Sequence, residues 1–154
     1  DIERVAGEAN RSLGDIVWSI DPHHDSLAGL TERVRAHSER MLKWSHIPYT
    51  VDCVHDGPDH TLDPATKRDI YLILREALNN AIKYSKARQI RVVLHTSPKH
   101  VHMEVKDDGI GLDKRIADGH GLENMRQRAE RIGARFAINT DKGTDVSLDL
   151  VLAS

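Results

Sequence analysis

Apolar positions fall at spacings of three and four over residues 1–19, with Ile2, Val5, Ala9, Leu13, Ile16 and Val17 on one side. This predicts an amphipathic helix stopped by Asp21-Pro22. Ser26 can cap a second helix, whose apolar side carries Leu27, Leu30, Val34, Met41, Leu42 and Trp44 until Ile47-Pro48 ends it. Trp18 and Trp44 read as core or helix-packing anchors. Over residues 49–56 the period changes to two, with Val51 and Cys53 on one face, which predicts a strand. Asp63 and Pro64 then suit the cap and first turn of a long helix running to about Ala87. Its apolar stripe is Ile70, Ile73, Leu74, Ala77, Leu78, Ala81 and Ile82. Alternation returns at residues 89–96 and 101–106, joined by Ser97-Pro98-Lys99-His100 as a hairpin. Residues 112–120 are polar and loop-like. Leu122, Met125, Ala129 and Ile132 mark a short helix ended by Gly133. Residues 134–140 and 144–152 read as strands joined by Asp141-Lys142-Gly143. Two helices followed by β-α-ββ-α-ββ predict the α+β class: a two-layer sandwich, its mixed, mostly antiparallel sheet covered by helices on one face.

Composition narrows the class without changing that picture. The chain has 154 residues, of which 39% are hydrophobic and 30% charged, enough for a core of ordinary size. A net charge of −2 argues against a general nucleic-acid or polybasic membrane surface. The single cysteine, Cys53, excludes an internal disulfide and fits a reducing compartment, so a cytoplasmic domain is expected. No apolar run approaches the roughly 20 residues of a membrane span, and no signal-peptide pattern occurs. The chain opens at Asp1 inside a helical pattern and without Met. It therefore reads as a piece of a longer protein, which leaves room for a membrane anchor elsewhere in the parent.

Three short stretches carry candidate chemistry. At about 100° per residue, Glu76, Asn80 and Lys83 fall within roughly 60° of arc beside the apolar stripe of the long helix. An acid, an amide and a base thus share one edge, which alone also fits a solvated flank. Asp107-Asp108-Gly109-Ile110-Gly111 closes a strand. The glycines permit close backbone approach to a ligand, and an ionised Asp, being acceptor-only, selects a group with N–H donors such as the amine of adenine. A plain Asp-Gly turn fits as well. Gly119-His120-Gly121-Leu122 opens a helix, where free N–H groups suit a phosphate; a flexible loop is the other reading. The spacing of Gly119, Gly121 and Asp141 imitates a dinucleotide fingerprint. However, no strand precedes it, and position 124 is Asn. The ten histidines include His23-His24 and His100-x-His102, neither in a zinc spacing. No P-loop and no G-x-S-x-G nucleophile motif is present.

The order of these stretches resembles the GHKL ATP-binding domain, whose fold is also called the Bergerat fold. Within it the chain is most similar to sensor histidine kinases that pair with LuxR-type response regulators. Residues 119–129, GHGLENMRQRA, match a run typical there, and residues 15–27, DIVWSIDPHHDSL, look like the join to a dimerisation domain. The resemblance covers residues 15–152. It implies that residues 1–22 end a dimerisation and phosphotransfer helix, that residues 23–154 form the catalytic domain, and that ATP and Mg²⁺ bind. Asn80 would ligate Mg²⁺, Glu76 would orient or deprotonate an attacking group or a metal-bound water, and Lys83 would face the phosphates. Asp107 would bond the adenine amine between walls shaped by Gly109 and Gly111. Gly119, His120, Gly121 and Leu122 would form the hinge of a lid at residues 112–120 and the phosphate-facing helix start. Thr144 would support Asp107 or a water beside adenine. Implied partners are the acceptor domain of a homodimeric parent kinase and a LuxR-type response regulator, with no nucleic acid.

The chain departs from the family pattern at three points. Tyr84 stands where the subfamily usually has His. The third glycine motif is shortened to Lys142-Gly143-Thr144. The R-x-x-L-H-D acceptor segment is absent, and neither His23 nor His24 replaces it, so the acceptor histidine is expected outside this chain. The alternatives are a serine kinase of the anti-sigma type, a clamp ATPase, or a degenerate nucleotide-binding or dimerisation module.

Overall fold

The computed structural model describes residues 26–84, 86–109, 120–140 and 142–152. The expected helix at residues 1–19, with Trp18, His23 and His24, lies outside the described residues. The first described helix, α1 (Leu27–Ser45), is capped by Ser26, whose hydroxyl accepts the Gly29 N–H. Its exit runs through His46 in the left-handed region (φ 61°) into Pro48. Next come β1 (Tyr49–His55) and α2 (Pro64–Tyr84), with Asp63 accepting the Thr66 N–H at 3.2 Å. That helix stops at Tyr84, short of the expected Ala87. Further on, Arg88 and Gln89 give their N–H groups to Asp108, a contact distant in sequence.

β2 (Ile90–Ser97) and β3 (His100–Asp107) form the expected hairpin, followed by α3 (His120–Arg131), β4 (Arg135–Asn139) and β5 (Thr144–Val151). Gly133, at φ 75°, ends α3; its N–H bonds Glu130 O, and the next N–H, of Ala134, bonds Ala129 O. The five strands lie in the order β1-β2-β3-β5-β4, antiparallel except for the β1/β2 pair. α2 supplies the crossover that a parallel pair requires.

Period-two burial sets the two faces of the sheet. Val92, Leu94, Val101, Met103, Val105, Val146, Leu148 and Leu150 are buried under the helices. Arg91, His95, His102, Glu104, Lys106 and Asp149 alternate with them on the other face. The apolar stripe of α2 (Ile70, Ile73, Leu74, Ala77, Leu78) is the centre of the core. α1 packs on β1 and β2, α2 on β3, and α3 on α2 and β4. Trp44 corrects one expectation: it is 79% exposed, although Leu42 in the same turn is buried and Ile47 just beyond packs on the core. Among the described residues no helix is long and apolar enough to cross a membrane.

Candidate functional site

The polar edge of α2 lies where the helix meets α3. Glu76 and Asn80 are half-buried, and Lys83 is exposed one turn further on. α3 begins at His120, and its second residue, Gly121, sits against the Glu76 carboxylate: a Cβ at Gly121 would overlap Glu76 Oε1. A glycine there lets the helix start approach the acid. Leu122, half-buried, anchors that start against the core. Gly111 and Gly119 lie outside the described residues, as do the expected lid, apart from His120, and the side chains of His120 and Tyr84.

The second part of the site is the end of β3. Asp107 is 3% exposed, the last residue of a strand that α2 covers. Its Oδ1 accepts two main-chain N–H groups, from Gly109 at 2.9 Å and from Thr144 at 3.3 Å. Thr144 is also its register partner in the β3/β5 pair. Thr144 thus meets Asp107 through its main-chain N–H. Burial raises the Asp107 carboxyl above the usual carboxylate value against the pull of those two donors, and the neighbouring Asp108 adds to the rise.

Asp108 has the opposite setting. It is exposed, and its Oδ1 accepts from Arg88 N at 2.8 Å and Gln89 N at 2.9 Å. The bonds from Gln89 and Arg88 hold its carboxyl below the usual value. Asp108 thereby ties the segment leaving α2 to the end of β3, so the Lys83 end of the helix and the Asp107 end of the strand share one rim.

Gly143 closes the back of this corner. It sits at φ +91°, and a Cβ there would overlap Asp107 O and stand 2.9 Å from its carbonyl carbon. The sequence places Gly143 in a hairpin turn and in a shortened glycine motif. Its contact with Asp107 emerges from the strand register, as does the role of Asp108. The adjacent Asp-Asp pair was the one signal that could have separated the two acids. His100 and His102 lie elsewhere: they start β3, about 23 and 17 Å along the strand from Asp107 at roughly 3.3 Å per residue. Both lean on Asp149, at 3.4 and 2.8 Å. Among the described residues no group of three or more His, Cys, Asp or Glu could hold a metal ion.

Glu76 on α2 thus faces a helix N-terminus, Asn80 follows it one turn on, and a buried acceptor-only carboxylate lies at the neighbouring strand end. Comparisons with known proteins give the family. The chain is 24% identical over 151 residues to the protein named sensor histidine kinase LiaS of Bacillus subtilis, covering 97% of this chain and 41% of that protein. It is 29% identical over 99 residues to sensor protein VraS of Staphylococcus saprophyticus, covering 62% of this chain and 28% of that one. The chain thus spans less than half the length of these relatives. In fold it is similar to the histidine kinase domain of the Erythrobacter litoralis blue-light activated histidine kinase, with a TM-score of 0.63 at 22% identity. That alignment covers 79% of this chain and 60% of the other. Residues 65–154 match the family described as histidine kinase-, DNA gyrase B- and HSP90-like ATPase, and the chain belongs to that family.

Proposed function

We propose that this chain is the ATP- and Mg²⁺-binding catalytic domain of a sensor histidine kinase, transferring the γ-phosphoryl group of ATP to a histidine that lies outside it. The observation that carries this reading is the setting of Asp107: buried, acceptor-only, and fixed by two main-chain donors at the rim where α2 and β3 meet. A carboxylate held there is matched to the exocyclic amine of adenine. Gly109 and Gly111 shape the walls beside it, and Thr144 holds it through its N–H. Gly119, His120, Gly121 and Leu122 present a helix start to the phosphates, and Lys83 adds a cation on the same rim.

The residues suit Mg²⁺. Asn80 offers a hard neutral oxygen on the same helix edge as the Glu76 carboxylate, a donor set this ion takes together with phosphates and water. When bound, the ion neutralises charge on the phosphates during transfer. The protein's own part is positioning: Asp107 fixes the base, the α3 start and Lys83 orient the anionic chain, and Glu76 orients or deprotonates the attacking group.

The run GHGLENMRQRA supports the finer reading of a kinase paired with a LuxR-type response regulator. In that reading residues 1–22 end the dimerisation helix of a homodimeric parent, residues 23–154 are the catalytic domain, and the domain works in the cytoplasm of a parent that carries any membrane anchor elsewhere. Supplying a dimeric acceptor domain in trans with ATP and Mg²⁺ tests the activity. Acid-labile phosphate should form on the acceptor and be lost with Asn80→Ala. Transfer that is unaffected by Asn80→Ala would contradict the assignment.

A further inference from the structure

A groove of about 490 Å³ lies between the first half of α2 and the outer face of α3, lined by Arg68, Asp69, Asn124, Gln127, Arg128 and Arg131. It is separate from the candidate nucleotide site, because Asp69 precedes Glu76 by about 10 Å along the helix axis. Asn124, Gln127, Arg128 and Arg131 recur at intervals of three and four, so α3 turns a continuous polar face to the groove.

Asp69 is the acid of the groove, with a side chain only 5% exposed. It accepts from Arg131 Nη2 at 2.7 Å, Arg131 Nε at 3.0 Å and Arg128 Nη1 at 3.3 Å. This clamp uses the fork of Arg131 and one nitrogen of Arg128. Arg68 is exposed and makes no ion pair among the described residues. Three guanidinium groups against one carboxylate leave an excess of positive charge in a chain whose net charge is −2. The wall already shows which anion its guanidinium groups are arranged to hold, since it holds a carboxylate.

We propose that the groove between α2 and α3 docks a carboxylate-bearing segment of a partner protein. The remaining donors of Arg68 and Arg128 suit carboxylate oxygens, and the amides of Asn124 and Gln127 add directional hydrogen bonds beside them. A concave groove lined partly by neutral amides fits an acidic protein segment better than a membrane or a duplex, which calls for a broad and strongly basic face. The inference does not depend on the nucleotide reading, and the two can fail separately.

The test is a titration of the full isotope-labelled chain, followed by backbone and arginine Nε resonances. Two synthetic helical peptides serve as probes, one with Glu on a single face and one with Gln at the same positions. The Glu peptide should shift Arg68, Asn124, Gln127 and Arg128 selectively, and raised salt should weaken it. Arg68→Glu combined with Gln127→Glu should cut its affinity about tenfold or more. Among the described residues Arg68 makes no ion pair and Gln127 donates to Glu123, so the double variant should still fold, which thermal melts check; Arg68→Ala is the milder second variant and should melt as the parent does. Equal binding of the Gln peptide, preferential shifts with phosphatidylglycerol vesicles, or no shift in the groove with either peptide would overturn the proposal.

Discussion

Asp107 and Asp108 are adjacent, are chemically identical, and each take two main-chain N–H groups on one oxygen, yet the fold uses them oppositely. Asp107 points under the helices, loses its hydration, and is raised above the usual carboxylate value. Asp108 points outward, keeps its hydration, and is lowered by its two bonds. Hydrogen-bond number is therefore not what separates them; burial is. The inward acid is costly to keep ionised, which is expected where a ligand's donors replace water. The outward acid fastens one loop to one strand end.

The largest effect that would sharpen this contrast is expected at Gly143. Gly143→Ala forces a Cβ into the Asp107 carbonyl at a backbone angle that L-residues rarely adopt. A loss of about 1–3 kcal/mol should follow, which chemical denaturation can measure. An unchanged midpoint would mean that the Asp107 corner is soft. Asp108→Ala should lower stability less, because its acceptor lies in water, and hydrogen exchange at the Arg88 and Gln89 amides should speed up. Unaltered exchange there would remove Asp108 from its fastening role.

A smaller effect is a trend with pH. The folded state holds the Asp107 proton more tightly than the unfolded chain does, so ionising this group as pH rises through and above the ordinary carboxylate range subtracts stability. Asp107→Asn removes that loss. Melting temperatures across pH 4 to 7, the range in which carboxylates ionise, should therefore move in favour of Asp107→Asn as pH rises. A gap that is constant or moves the other way would contradict the burial argument. The smallest effect concerns Cys53, whose thiol is buried and pushed up to about 11. It should react with a thiol reagent at neutral pH only as fast as the fold opens.

Much of this was readable from the sequence. Ser26, Asp63, Pro64 and Gly133 start or stop helices through local chemistry, and period-two runs gave every described strand to within a residue or two. The polar edge of Glu76, Asn80 and Lys83 is also a local property of one helix. What escaped reading depends on contacts between residues far apart in the chain. Asp107 meets Thr144 and Gly143 only after β3 and β5 pair, and Asp69 finds Arg128 and Arg131 only after α3 docks on α2. Trp44 differs for a related reason: which residues of the last turn of α1 the core covers is a tertiary matter, and it covers Leu42 and not Trp44.

The central claim, that Asp107 is the adenine-reading acid and Asp108 is not, has one direct measurement. Calorimetric titration with ADP, ATP and GTP, with and without Mg²⁺, would compare the parent chain with Asp107→Asn and Asp108→Asn. A charge-assisted hydrogen bond contributes roughly 1.5–3 kcal/mol, so Asp107→Asn should lose about ten- to a hundred-fold in adenine-nucleotide affinity. Asp108→Asn should bind as the parent does, and GTP should bind far more weakly than ATP throughout. Equal ATP affinity for the parent and Asp107→Asn, or a greater loss with Asp108→Asn, would contradict the assignment.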